Sequence, residues 1–346
     1  MTRFAIATLT PVLLLAFAAL VGGGWVWAAL GYMTLLVFAL DQVRAWAAPT
    51  HPEAEFPAGT GLSVLLGLVH FPLLALAIWL VSGASGAGVA ERLGGFVAFS
   101  LFFGQVSNSN AHELIHRSDR WLRRLGVAVY SSVLYGHHAS AHRLVHHVHV
   151  ATKHDPNSAR PGEHFYRYAW RAWRGEYRAG RRAEDARRSF AAKGLHPFST
   201  YWLWALATLF VAVLIGGLAG AVSLMALALY AQLQLLLSDY VQHYGLQRRM
   251  GTDGKPEPCG PAHSWNTPHW YSSALMLNAP RHSDHHLRPS VAYPGLVLDE
   301  DAMPTLPHSL PVMALLALWP ARWRKVMDPR VTEWQQKAQI THPAAM

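Results

Sequence analysis

This sequence predicts an all-α integral membrane protein with about six transmembrane helices and a cytoplasmic helical cap carrying a histidine-rich di-metal site. Three observations predict it. Hydrophobic residues make up 52% of the 346-residue chain and charged residues only 14%, against about 25% charged in an average globular domain. Long apolar stretches recur along the chain, with basic residues segregated into one set of the segments between them. The 21 histidines outnumber the 20 acidic residues and gather in clusters at helical spacing.

The apolar stretches run over 4–20, 25–40, 61–81, 93–111, 200–219 and 221–242. A bilayer core about 30 Å thick takes about 20 helical residues, so the first two are short. Gly22, Gly23 and Gly24 separate them as a tight hairpin would. No clean cleavage site precedes the second stretch, so the first reads as a span rather than a signal peptide. With the N-terminus in the cytoplasm and six crossings, the cytoplasmic parts are 1–3, 41–60, 112–199 and 243–346. They hold every Lys and Arg except Arg92, as the excess of positive charge on cytoplasmic loops requires. The formal net charge of +9 then reads as orientation and attraction to anionic lipid. A large soluble protein with six such stretches would lack a polar coat, and nothing resembles a nucleic-acid module. The one cysteine, Cys259, excludes an intrachain disulfide, a four-cysteine zinc site and a rubredoxin-type iron site within the chain.

Between the spans, 121–136 is apolar on one side and basic at its start, which predicts a helix lying in the membrane interface. Segment 165–193 interleaves many Arg with Trp and Tyr. It reads either as a docking surface for an acidic protein or as a face resting on lipid headgroups. His70 stands alone mid-span and reads as a hydrogen-bonded core residue. Trp27, Trp46, Trp79, Phe102 and Phe103 either line a path for an apolar molecule or, as the plainer reading, face lipid or its interface.

The first histidine cluster is His112 and His116 in HELIHR. Residues four apart share a helix face, so two imidazoles there can chelate one metal. HELIH also matches the zinc-protease pattern, with Glu113 as general base. Further clusters of similar spacing count against that reading, because they offer more ligands than one zinc uses. The second cluster is His142, His146 and His147 in AHRLVHH. On an α-helix, His142 and His146 share a face and His147 turns about 100° away, toward a second metal. The third, His282, His285 and His286 in RHSDHH, again lies on one helical face. His243, in DYVQHYGL, ends the last span. Nine imidazoles exceed what one metal takes and predict two metal ions with four to five each. Imidazole suits zinc, copper, iron and nickel. His137 and His138 are alternative members of the second cluster, and His149, His154, His164, His263 and His269 surround the site. Glu113, Asp119, Asp155, Asp239 and Asp284 are expected to orient ligand imidazoles.

At these motifs the sequence resembles the integral-membrane di-iron alkane 1-monooxygenases, within the wider membrane fatty-acid desaturase and hydroxylase superfamily. The resemblance rests on HELIHR at 112–117, HRLVHH at 142–147, HYGL at 243–246 and RHSDHH at 281–286. VATKHDPNSARPGE at 150–163 and MDPR at 327–330 support it. It covers roughly 60–330 and implies that His112, His116, His142, His146, His147, His243, His282, His285 and His286 are the metal ligands. Where that family has Glu before the first His of the second motif and before the His of HYG, this chain has Ala141 and Gln242. Where the family has Gly before the paired His, it has Val145. These departures spare every ligand.

The resemblance implies two iron ions, O2 as co-substrate and conversion of a terminal C–H of an apolar substrate, such as an n-alkane, to a primary alcohol. It implies one membrane-embedded domain over 1–346, in a bacterial-type cytoplasmic membrane with both termini cytoplasmic. No flavin or nicotinamide fingerprint is visible, so electrons are expected from a separate rubredoxin or ferredoxin with its NAD(P)H-dependent reductase. An aryl-methyl (xylene-type) monooxygenase shares these motifs, as does an acyl-lipid desaturase or fatty-acid hydroxylase. A metal transporter is disfavoured, because it would place ionisable residues within the spans.

Overall fold

The computed structural model describes residues 1–43, 57–191 and 194–341. Among them there is no named strand, only the isolated bridges Met250 to Pro256 and Asn266 to Thr305. Helix α1 is Thr2–Leu20 and α2 is Gly24–Asp41, interrupted by a π-turn at Tyr32–Leu36. The predicted hairpin between them is present. Gly22 and Gly23 both have positive φ, a conformation that glycine adopts without steric cost. Glu91 accepts hydrogen bonds from the Gly23 and Gly88 amides, pinning the hairpin to the start of the helix at 89–116.

Helix α3 is Pro57–Ser82, and α4 runs unbroken over 89–116 with a π-turn at Phe103–Ser107. The 121–136 segment is helical over Arg120–Ser132, α5, with Trp121 exposed. Next come α6 (138–149) and the arginine-rich α7 (Phe165–Ala191). Helix α8 is Pro197–His243, with non-helical geometry at Gly216 and Gly217. A side-chain carbon on Gly220 would collide with the Ala212 carbonyl oxygen. Residues eight apart along a straight helix are about 12 Å apart. The chain therefore doubles back, and the two arms are the predicted stretches 200–219 and 221–242. Shorter helices follow: α9 (Trp270–Leu275), α10 (His282–Leu287), α11 (Leu310–Ala317) and α12 (Pro320–Thr341).

Among the described residues, four helices are long and apolar enough to cross a membrane: α1, α2, α3 over Gly59–Ser82, and the doubled α8. The fourth predicted stretch, 93–111, is helical within α4 but is not among them. Its polar residues are satisfied by neighbouring helices: the Asn108 side chain donates to the Ala231 carbonyl and Asn110 to the Ser63 carbonyl. His70 lies buried between two hydroxyls, Ser107 Oγ at 3.0 Å and Ser132 Oγ at 2.8 Å, as expected of a core histidine. Trp27 is exposed, whereas Phe102 and Phe103 are fully buried core residues; the lipid-facing reading fails for that pair. Trp46 lies outside the described residues.

The apolar bundle of α1–α4 and α8 forms one core. A second core, built on Tyr168, Tyr240, Tyr244, Trp265 and Trp323, lies under α7, α11 and α12. Asp41 joins bundle and cap: its carboxylate accepts from the Tyr271 and Ser272 amides at the start of α9.

Candidate metal centre

Four elements bring the nine predicted imidazoles together. The C-terminal turn of α4 presents His112 and His116, helix α6 presents His142, His146 and His147, the end of α8 presents His243, and α10 presents His282, His285 and His286. They form two groups, His112, His116, His142, His147 and His285 in one, and His146, His243, His282 and His286 in the other. Within each group one nitrogen per ring lies within 4.8 Å of all the others. Helices α6 and α10 each contribute to both groups, so they bridge the two sites.

The partition differs from the α-helical expectation in α6. His142 groups with His147, and His146 faces the other way. The cause is a π-turn over His142–His146, in which the His147 amide donates to the His142 carbonyl. This i→i+5 bond widens the turn, so the fifth residue, rather than the fourth, returns to the same face. In α10 the ordinary period holds: His282 and His286 share one group, while His285 turns to the other and not to a common face.

The donor set fits metal. Ring nitrogens meet without protons enough to satisfy them. His142 Nε2 lies 2.8 Å from His112 Nε2 and 3.0 Å from His147 Nε2, and His147 Nε2 lies 3.1 Å from His285 Nε2. In the second group His282 Nε2 lies 3.0 Å from His243 Nε2 and 3.1 Å from His286 Nε2. Neighbouring ligands at right angles on a metal, with imidazole bonds of about 2.1 Å, stand about 3 Å apart. The buried His116 Nε2 and His146 Nε2 have no hydrogen-bond partner, as expected of nitrogens aimed at a cation. Burial, reinforced by neighbouring imidazoles, holds His112 down to about 3 and His116, His142, His147, His282, His285 and His286 well below the usual histidine range. Neutral rings with free lone pairs are the form that binds metal.

His146 is the exception. Burial opposes its charge, but Asp155 Oδ2, 2.8 Å from Nδ1, outweighs it and raises the pKa. Ser158 Oγ and the Asn157 amide also donate to Asp155, so the DPNS segment of 155–158 is a clamp on one imidazole. Of the five carboxylates expected to orient ligands, only Asp155 is hydrogen-bonded to one of the nine imidazoles. Asp119 caps α5, Glu113 pairs with Arg117 at 2.7 Å, Asp284 pairs with Arg288, and Asp239 accepts from the Asn157 side chain. His137 and His138 enter neither group. Both stand against Glu176, at 3.1 and 3.4 Å. Among the other surrounding histidines, His263 stands 3.2 Å from Glu257 and His269 Nδ1 2.8 Å from Thr267 Oγ1.

Glu176 was not foreseen. It lies fully buried in the otherwise arginine-rich α7 and also accepts from Asn157. An acid flanked by Gly175 and Tyr177 at the inward period of an amphipathic helix was the available signal. Two of the three motif departures, Ala141 and Gln242, have defined surroundings, and nothing in the structure explains Val145. Ala141 packs against Gly180 of α7 so closely that a carbon on Gly180 would stand 3.0–3.1 Å from it. Gln242 is buried and neutral, accepting from Ser238 Oγ and donating to the Ala279 carbonyl. Beside His243, Tyr244 donates to Asp328 of the MDPR segment.

A sequence profile described as fatty acid desaturase matches residues 87–313, which span all nine histidines. Alkane 1-monooxygenase 1 of Pseudomonas aeruginosa is 34% identical over 302 residues, covering 82% of this chain and 77% of that protein. Alkane 1-monooxygenase 1 of Alcanivorax borkumensis is 34% identical over 284 residues, 79% of this chain and 68% of that protein. The xylene/toluene monooxygenase hydroxylase component of Pseudomonas putida is 26% identical over 340 residues, 91% and 85% of the two chains. The chain belongs to the fatty acid desaturase family and, within it, to the alkane 1-monooxygenases.

Proposed function

We propose that the protein is a membrane di-iron monooxygenase, acting as one membrane-embedded domain. It inserts one oxygen atom of O2 into a terminal C–H of an apolar substrate such as an n-alkane. The balance is R–CH3 + O2 + 2 e⁻ + 2 H⁺ → R–CH2OH + H2O. The observation that carries the reading is the division of nine clustered imidazoles into neighbouring groups of five and four. His112, His116, His142, His147 and His285 would hold one iron, and His146, His243, His282 and His286 the other. When bound, the iron pair supplies the redox chemistry that a strong C–H bond needs and side chains cannot provide. The chain's own residues hold the rings in place, Asp155 fixes the orientation of His146, and the apolar bundle gives a membrane-dissolved substrate lateral access.

Electrons come from a rubredoxin or ferredoxin with its NAD(P)H-dependent reductase, docking on the cytoplasmic face. Arg167, Arg181, Arg182 and Arg187, all exposed on α7, suit an acidic carrier. The protein resides in a bacterial-type cytoplasmic membrane with both termini inside, the orientation that its basic segments favour. A second reading, aryl-methyl hydroxylation, is favoured by the xylene/toluene relative, whose match covers nearly the whole chain.

The test is metal content and product analysis of the purified protein supplied with octane, xylene and acyl substrates. About two irons per chain and 1-octanol are expected. Methylbenzyl alcohol from xylene alone would favour the second reading. A single zinc, or only desaturated acyl products, would overturn the proposal.

A further inference from the structure

A cavity of about 520 Å³ opens where α7 meets the first arm of α8, a volume in the range of small-molecule pockets. None of the nine clustered histidines lines it. Its walls are largely apolar: Trp173 and Tyr177 from α7 face Phe198, Trp202 and Leu206 from α8. Trp202 and Leu206 are both more than half exposed and lie on a segment apolar enough to cross a membrane, so the groove opens sideways toward lipid. At its rim stand Arg174 and Arg178, both exposed and one helical turn apart. Among the described residues neither pairs with a carboxylate; Arg174 lies over the Trp170 ring at 5.1 Å.

We propose that this groove binds one anionic phospholipid, an acyl chain lying against Phe198, Trp202 and Leu206 and the phosphate held between Arg174 and Arg178. Guanidinium groups match phosphate oxygens in pairs, and two free cations favour a headgroup with net negative charge over a zwitterionic one. A plain hydrocarbon would leave both guanidinium groups unused. An acidic protein would not fill an apolar trough facing the bilayer. The lipid clamps α7 onto the membrane arm of α8, and α7 carries Gly180, which backs the His142 segment, and Glu176, which holds His137 and His138. The site is separate from the hydroxylase reading and stands or falls without it.

The experiment is native mass spectrometry of the detergent-purified full chain, titrated with phosphatidylglycerol or phosphatidylcholine. Phosphatidylglycerol should be retained as one copy per chain, with phosphatidylcholine much weaker. Replacing both Arg174→Gln and Arg178→Gln should weaken phosphatidylglycerol binding about thirtyfold. The double replacement Arg182→Gln and Arg187→Gln removes the same charge from α7 outside the groove and should leave it unchanged. Ala205→Trp fills the groove and should expel the lipid with both arginines in place. Equal losses in the two double variants would reduce the effect to diffuse attraction and overturn the proposal, as would equal binding of both lipids. Lipid retained by the Arg174 and Arg178 variant, with turnover on the electron donor lost, would assign those arginines to a protein partner instead.

Discussion

Replacing Asp155 by asparagine should loosen one metal of the pair and leave the other alone. The carboxylate is buried, with Oδ2 2.8 Å from His146 Nδ1 and 2.6 Å from Ser158 Oγ, and Oδ1 3.0 Å from the Asn157 amide. Burial alone would raise its pKa, but His146 and these donors hold it below the usual carboxylate range, so it is an anion at neutral pH. Through Nδ1 it makes the His146 ring a stronger donor at Nε2, the nitrogen without a partner. Asparagine keeps the size and one acceptor but removes the charge. Loss of such a supporting hydrogen bond typically costs 10- to 100-fold in metal affinity, about 1.4–2.7 kcal/mol. His146 belongs to the group of four, and no imidazole in the group of five touches Asp155. The assay is iron retained per chain after equilibration against graded chelator. The variant should release its first iron at about 10- to 100-fold lower chelator and its second at the wild-type concentration. An equal shift of both irons, or of neither, would refute the partition into two sites and the role of the 155–158 clamp.

Three further outcomes are expected. In the metal-free protein, His112 titrates near 3 against about 6.5 in the unfolded chain, so between these values the unfolded chain binds protons that the folded one refuses. Stability is then full above about pH 6.5 and falls on acidification toward pH 3, by up to about 1.4 kcal/mol per pH unit for each such imidazole; denaturation of the apo form that is flat from pH 7 to 5 would contradict this. Ala141→Glu or Gly180→Leu should force α7 away from the His142 segment, costing about 1–3 kcal/mol, and thermal unfolding together with iron content should both report it. Turnover with an acidic electron carrier should fall steeply as salt rises, because the docking charges on α7 are exposed and screened, whereas a flat salt profile would remove α7 from the docking surface.

The candidate donors were readable along the chain because ligating chemistry is written in residue identity. HELIH, HRLVHH, HYG and RHSDHH name nine imidazoles, and runs of apolar residues with basic segments between them name a membrane bundle. Even the clamp had a trace, in the DPNS of 155–158. Which imidazoles group together was not readable. The answer turns on a π-turn at His142–His146, and one extra residue in a helical turn leaves no mark on composition or period. Glu176 escaped for a similar reason: an acid among arginines looks solvated until α7 is laid against Asn157, His137 and His138. Local periodicity reports the face that a residue occupies on its own helix. The way separate helices meet, and hence which side chains from 112 to 286 surround one point, follows from packing between segments far apart in the chain.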